Sequence, residues 1–169
     1  MALKILITGG TFDKEYDEIK GSLYFKETHM TEILELGRSR VDVNIEKLML
    51  IDSLDMTPSQ RELIVNKCIE SEDDQIVITH GTDTMTITGK MLAEKKMDKT
   101  IVLTGAMIPY KFGSSDGLFN LGGAIAYAQS LPSGVYIAMN GQFFEWDKVE
   151  KNREKGVFEG IKKHRDTFK

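Results

Sequence analysis

The chain has 169 residues, 41% of them hydrophobic, and a formal net charge of −4. That composition supports one compact core, and residues 1–169 read as a single domain. No stretch approaches the roughly 18 to 20 consecutive apolar residues of a membrane-spanning helix, and the acidic balance argues against a nucleic-acid binder.

The first residues, Met1 to Ile7, are apolar, but Lys4 interrupts them. Gly9 and Gly10 end the run before a signal-peptide core forms, so the expected location is the cytoplasm. Strands are predicted at 3–8, 45–51, 75–79, 100–104 and 135–139, short segments rich in Ile, Val, Leu and Met. Continuous apolar runs of this kind suit strands covered on both faces. Helical patterns occupy 29–37, 57–71, 82–96 and 117–129. In the second, Thr57 is the N-cap, Pro58 takes the first helical position, and Leu63, Ile64, Cys68 and Ile69 form one apolar stripe. Segment 12–28 is polar, contains Gly21, and reads as either a hairpin or a mobile loop. The alternation predicts an α/β fold: an open, mostly parallel sheet flanked by helices, in a Rossmann-like or flavodoxin-like three-layer arrangement.

Cys68 is the only cysteine, so it forms no internal disulfide and is expected to pack as a small apolar side chain. After Asp147, Lys148, Arg153, Lys155, Lys162, Lys163 and Arg165 alternate with Glu150, Glu154 and Glu159. That mixture reads as a solvated face, with an anion-binding patch as the alternative.

Three short motifs follow predicted strands, at the sheet edge where ligand sites of open α/β folds assemble. Thr8-Gly9-Gly10-Thr11 turns the backbone sharply and presents the Thr11 hydroxyl and N–H, or is an ordinary turn. Neither Gly-x-Gly-x-x-Gly nor a P-loop is present, because Gly89-Lys90 is followed by Met91 and lacks the upstream glycine. His80-Gly81-Thr82-Asp83-Thr84 precedes a helical pattern, where free N–H groups bind a carboxylate or an oxyanion and Asp83 takes a cation. Helix capping by Thr82 or Asp83 is the plainer alternative. Gly105-Ala106-Met107 is the third motif. His80 has no ligand spacing to His29 or His164, so a hydrogen bond within the turn is expected of it rather than a metal. Gly122-Gly123 suits close helix packing.

With Ile51-Asp52-Ser53-Leu54-Asp55-Met56, Asp116-Gly117 and Phe119-Asn120-Leu121, these motifs resemble the bacterial-type L-asparaginase family, in matching order from about residue 3 to residue 151. The resemblance covers the family's N-terminal domain and not its usual C-terminal domain. It implies that Thr11 is the nucleophile and that Tyr16 closes over the substrate and helps to activate it. Thr82 and Lys151 match the second threonine and its lysine. Asp83 matches the aspartate that binds the substrate α-amino group, and Ser53 the serine that holds the α-carboxylate. Gly81 and Ala106 belong to the matching substrate-binding turns.

The sequence departs from the family in four places. The acidic residue that a neighbouring subunit's C-terminal domain donates has no counterpart. Asp52 stands where glycine is common and is expected to supply part of that negative charge beside Asp83. Leu54 replaces a common glutamine, and 141–146 diverges.

The chemistry is coherent on its own. A threonine hydroxyl needs a base or a relay as it attacks, and either Tyr16 beside Thr11 or Lys151 beside Thr82 provides one. The expected reaction converts L-asparagine to L-aspartate and ammonia through a threonine acyl-enzyme, with no cofactor and no metal. The alternatives are an amino-acid-binding module without catalysis and an amidohydrolase for glutamine or another amide. A homodimer or homotetramer is expected, with no nucleic-acid or membrane partner.

Overall fold

The computed structural model describes residues 2–161. Lys162, Lys163, His164 and Arg165 lie outside the described residues. Strand β1 (Leu3–Gly9) leads through a 3-10 turn into the hairpin β2 (Lys14–Asp17) and β3 (Ser22–Phe25), then α1 (Met30–Leu36) and β4 (Val43–Ile51). Next come α2 (Pro58–Glu70), β5 (Gln75–Thr79), α3 (Met85–Ala93), β6 (Thr100–Thr104) and α4 (Gly117–Ser130). Strand β7 (Gly134–Met139) is followed by the short strands β8 (Gln142–Glu145), β9 (Val149–Asn152) and β10 (Val157–Gly160).

The main sheet runs β4-β1-β5-β6-β7-β8, parallel except for β8, which pairs antiparallel with β7. With only the parallel strands numbered in chain order, the spatial order is 2-1-3-4-5, the flavodoxin-like arrangement. Its topological switch point, where ligands bind, lies between the C-terminal ends of β1 and β5. Thr11 follows the first of these strands and Thr82 the second.

Alternation along the strands divides the core into two layers. Leu6, Ile76, Ile78, Ile101, Leu103 and Ile137 face α2 and α3. Ile5, Ile7, Val77, Val102 and Ala138 face α1 and α4. This division has a topological consequence. Both β5 to β6 and β6 to β7 step the same way across the sheet, yet α3 and α4 lie on opposite faces, so the two crossovers have opposite hands. The α1, α2 and α3 connections share one hand. Right-handed crossovers are near-universal, so the α4 connection is the left-handed one.

Thr57 is the N-cap of α2, as Thr57-Pro58 predicts, and it also forms a full capping box with Gln60. The buried stripe of α2 is Arg61, Ile64, Val65 and Cys68, whereas Leu63 and Ile69 are exposed, so the predicted face is rotated by part of a turn. Strand β4 is an edge strand and stays partly exposed instead of covered on both faces. Segment 12–28 is a hairpin, closed by Asp17 accepting from the Ile19 and Lys20 N–H groups. Helix α3 starts at Met85, so Thr82 and Asp83 sit in the turn before it and not at its N-terminus; its N-cap, Thr84, makes no capping side-chain bond.

Candidate active site

The turn after β1 and the turn after β5 meet backbone to backbone. Gly10, at φ 77°, has no room for a side chain: a Cβ there lies 2.5 Å from both Cα and N of Gly81. Gly105 is as tightly placed, its Cβ position 2.4 Å from the His80 carbonyl oxygen. Three glycine turns therefore pack against one another at the sheet edge, and the residues after the first two, Thr11 and Thr82, leave from the same point. Ala106 buries its methyl group in the layer facing α1 and α4, so only its backbone is left for a ligand.

Across β9 lies the second half of the cluster. The Lys151 ammonium donates to Thr82 Oγ1 at 2.8 Å and to Asp83 Oδ1 at 2.9 Å. Thr82 is buried, and the Lys151 side chain is 13% exposed. The solvated face expected after Asp147 thus turns one lysine inward. Strand pairing explains this. Lys151 faces Phe158 across the β9–β10 ribbon, and Phe158 is buried. Arg153, in the turn of the ribbon, also reaches Asp83 Oδ1, at 3.3 Å.

Ser53 is pinned beneath these turns. Its Oγ accepts from the Thr84 N–H at 3.3 Å and its carbonyl accepts from the Thr84 hydroxyl at 2.9 Å. A Cβ at Gly81 lies 2.5 Å from Ser53 Cβ, so only glycine fits there. Arg61 holds the underside. Its guanidinium is buried and donates to the Ser53 and Met56 carbonyls, Thr84 Oγ1 and Thr88 Oγ1, with no carboxylate partner among the described residues. Burial depresses its pKa, and the several oxygen acceptors offset the cost of desolvating the charge.

His80 fulfils the expectation of a turn-internal role. Its Nδ1 lies 2.7 Å from the Gly81 carbonyl, which only accepts, so Nδ1 carries the proton. Nε2 then accepts from Thr88 at 2.8 Å, and Thr88 in turn accepts from Arg61. Burial pushes the imidazole down to about 4. It is a neutral link between two turns. Among the described residues no group of three or more His, Cys, Asp or Glu is placed to hold a metal ion.

The hairpin carries Tyr16 at its surface, 52% exposed, with its ring edge-on to Phe112. No hydrogen bond joins Tyr16 to Thr11 or to the Lys151 cluster among the described residues. Asp13 closes the base of the hairpin by accepting from the Thr28 hydroxyl and the His29 N–H. Its burial raises the carboxyl pKa against those two bonds. Lys14 ties the hairpin to the Ser53 turn through Asp52 Oδ2 at 2.5 Å, and Asp52 Oδ1 accepts from the Leu54 N–H. Partial burial opposes ionisation of Asp52, but Lys14 and the Leu54 N–H outweigh it and hold the carboxyl below its usual range. Asp52 therefore stands as half of an ion pair with Lys14.

Asn120 and Asn140 brace the far side. Asn120 donates to the Gly105 carbonyl and accepts from the Asn140 N–H. Asn140, at φ 57°, accepts from the N–H of Phe158, the residue paired with Lys151. Asp116 accepts from the Met107 and Ile108 N–H groups and from Asn120. A continuous chain of bonds thus links the third glycine turn to the strand pair holding the lysine. Of the expected residues, Thr82, Asp83, Lys151, Ser53 and Gly81 form one cluster; Thr11 adjoins it through Gly10; Asp52 borders it; Tyr16 stands on the hairpin nearby. Lys14, Arg61, Asn140 and Arg153 were not anticipated in the site. Two of them carried a signal: Arg61 as a cation spaced i, i+3, i+4, i+7 with Ile64, Val65 and Cys68, and Arg153 as a member of the basic run with an anion-binding patch as its alternative reading.

The sequence matches the family described as "Asparaginase, N-terminal" over residues 2–162. One chain of the glutamyl-tRNA(Gln) amidotransferase from Aeropyrum pernix is 33% identical over 148 residues, 82% of this chain and 34% of that protein. The structure of the thermostable L-asparaginase from Thermococcus kodakarensis superposes with a TM-score of 0.84 at 31% identity, covering 95% of this chain and 51% of the other. A probable cytoplasmic L-asparaginase from Campylobacter jejuni gives a TM-score of 0.80 at 29% identity, covering 94% and 52%. This chain spans about half the length of these asparaginases and about a third of the amidotransferase chain. In sequence and in fold, the chain belongs to the asparaginase family, over that family's N-terminal domain.

Proposed function

We propose that this chain hydrolyses L-asparagine to L-aspartate and ammonia through an ester on Thr11. The observation that carries the reading is the Lys151–Thr82 hydrogen bond, 2.8 Å long, beside the Gly10–Gly81 contact that starts Thr11 from the same point. Thr11 Oγ attacks the side-chain amide carbon. Its proton passes to the leaving nitrogen, the C–N bond breaks, and ammonia departs. Water then cleaves the ester and restores the Thr11 hydroxyl.

Thr82 serves the proton transfers. It works as a relay: Thr82 takes the proton of Thr11, and later that of the attacking water, as it passes its own proton to the leaving nitrogen, and later to Thr11 Oγ. The Lys151 ammonium beside it stabilises the charge that builds on its oxygen between the two transfers. Backbone N–H groups of the glycine turns hold the oxyanion, each worth about 3 kcal/mol in other acyl-transfer enzymes. Asp83 takes the substrate ammonium, and Ser53, whose own O–H has no acceptor among the described residues, donates to the carboxylate. Tyr16 covers Thr11 once substrate is bound. Asp52 acts through Lys14 to fix the hairpin against the Ser53 turn, with Gly81 and Ala106 supplying backbone.

Ammonia release from L-asparagine, with and without Thr11→Ala, tests this reading. Turnover is expected in the parent and not in the variant; retained turnover in the variant removes Thr11 from its role. A second reading, hydrolysis of L-glutamine, draws on the amidotransferase among the relatives. One methylene separates the two substrates, about 1 to 3 kcal/mol in a fitted pocket, so the same assay run with glutamine ranks them. We also propose a single domain over 1–169, a cytoplasmic location like that in the name of the Campylobacter jejuni protein, and a homodimer or homotetramer. Sedimentation as a monomer alone overturns the last.

A further inference from the structure

Asp83 is held by cations from two sides. Lys151, 13% exposed, reaches Oδ1 from the protein interior, and Arg153, 65% exposed, reaches the same oxygen from solvent. The two contacts are unequal. Lys151 donates a hydrogen bond of 2.9 Å, whereas a single nitrogen of Arg153 stands at 3.3 Å without forming one. Exposed pairs of this kind are weak, because water screens them and a long side chain must be held in place. The guanidinium therefore leaves Asp83 readily when a better acceptor arrives.

We propose that Arg153 is a specificity-determining residue that recognises the α-carboxylate of a free amino-acid ligand, moving onto it from Asp83 as the ligand's ammonium takes Asp83. The proposal rests on the reading of Asp83 as the ammonium site. In an α-amino acid the ammonium and the carboxylate are bonded to one carbon. A ligand that sets its ammonium on Asp83 thus brings its carboxylate to the group already bordering Asp83. Arginine suits that acceptor, since its planar fork engages both carboxylate oxygens in place of the one contact it gives up.

The surrounding charge agrees. At this edge Lys14 pairs with Asp52, and Lys151 and Arg153 share the one carboxylate of Asp83. Arg61 has only neutral acceptors around it. The site accordingly favours a ligand that carries its own anion. An amide whose α-carboxylate is blocked, such as an asparagine within a peptide, leaves Arg153 on Asp83 to compete with the ligand's ammonium. The ligand class is the free amino acid.

Calorimetric titration of the full chain with L-aspartate and with L-isoasparagine, whose α-carboxylate is an amide, tests the proposal in the parent, Arg153→Met and Arg153→Lys. Arg153 is exposed, so neither substitution threatens the fold. Arg153→Met is expected to weaken L-aspartate about tenfold or more, the loss of a charge-assisted hydrogen bond, and to leave L-isoasparagine as tight as in the parent or tighter, because its ammonium no longer competes with Arg153 for Asp83. Arg153→Lys is expected to fall between. Equal losses for both ligands, unchanged or tighter aspartate binding to Arg153→Met, or no aspartate binding to the parent overturns it. Ammonia release from L-asparagine is measured in parallel. Aspartate binding that depends on Arg153 without ammonia release removes the hydrolase reading and keeps this one; ammonia release with aspartate affinity indifferent to Arg153 does the reverse.

Discussion

Gly10 and Gly81 touch through their backbones, and that contact joins the two halves of the site. Gly10 sits at φ 77° with no space for a Cβ, the nearest atoms of Gly81 being 2.5 Å from where one would lie. Any side chain at Gly10 must push the β1 turn away from the β5 turn.

Gly10→Ala is therefore expected to be severe in two measurements. The positive φ and the clash together cost about 2 kcal/mol or more, seen as a lower midpoint in urea unfolding. Thr11 also moves relative to Thr82. A displacement of about 1 Å between reacting groups costs about 100-fold in rate, so ammonia release is expected to fall at least that far. A variant with parent activity shows that the two threonines do not work together.

Lys151 contacts Thr82 and Asp83 at once, so its loss separates chemistry from binding. Lys151→Met keeps the length and apolar packing of the stem but leaves Thr82 without its cation and Asp83 with Arg153 alone. A fall in kcat of about 100-fold or more is expected, as for removal of a proton-transfer partner. The KM is expected to change far less. A large rise in KM at unchanged kcat means instead that Lys151 serves binding.

Asn120 is expected to matter although it lies behind the site. Asn120→Leu strands the buried Gly105 carbonyl and the Asn140 N–H. Each unsatisfied buried group costs about 1 to 3 kcal/mol, so stability is expected to drop by about 3 kcal/mol. Because Asn140 also fixes Phe158, opposite Lys151, kcat falls with it. Loss of stability with kcat intact breaks the proposed link between the third turn and the lysine.

The main elements were legible in the sequence because each has a local cause. Buried parallel strands leave apolar runs such as Ile76-Val77-Ile78, and Thr57-Pro58 announces α2 through capping chemistry that depends on neighbours alone. Thr82 and Lys151 were placed by resemblance, and the structure brings them to 2.8 Å. What stayed hidden depends on tertiary packing. The left-handed crossover follows from which face α4 covers, and nothing in the sequence of α4 states that. The ribbon of β9 and β10 is short and charged, and Lys151 turns inward only because Phe158 opposite it is buried. Arg153 reads in the sequence as part of a solvated face or, alternatively, of an anion-binding patch; its position beside Asp83, 70 residues earlier in the chain, comes from the fold. Helix α3 was read as starting too early because Thr82 and Asp83 look like caps, while their side chains are engaged with Lys151 instead.

His80 gives the stability a pH dependence of definite sign. Buried between Gly81 and Thr88, its imidazole titrates at about 4, against an ordinary 6.5 in the unfolded chain. Between those values the unfolded state binds a proton that the folded state does not, so stability rises with pH across the window. The contribution is full above the unfolded value and is lost as pH falls towards the folded one. Between about pH 7 and about pH 5 the loss from this one residue is about 2 kcal/mol. Asp13, whose carboxyl burial raises, titrates with the opposite sign, but it is common to the parent and to His80→Asn. The difference between those two proteins isolates the histidine. Urea unfolding at both pH values is expected to show a steeper acid loss in the parent than in His80→Asn, by about 2 kcal/mol. Parallel curves mean that the folded protein accepts a proton on His80, and that the link from the Gly81 turn through Thr88 to Arg61 yields far more easily than its burial implies.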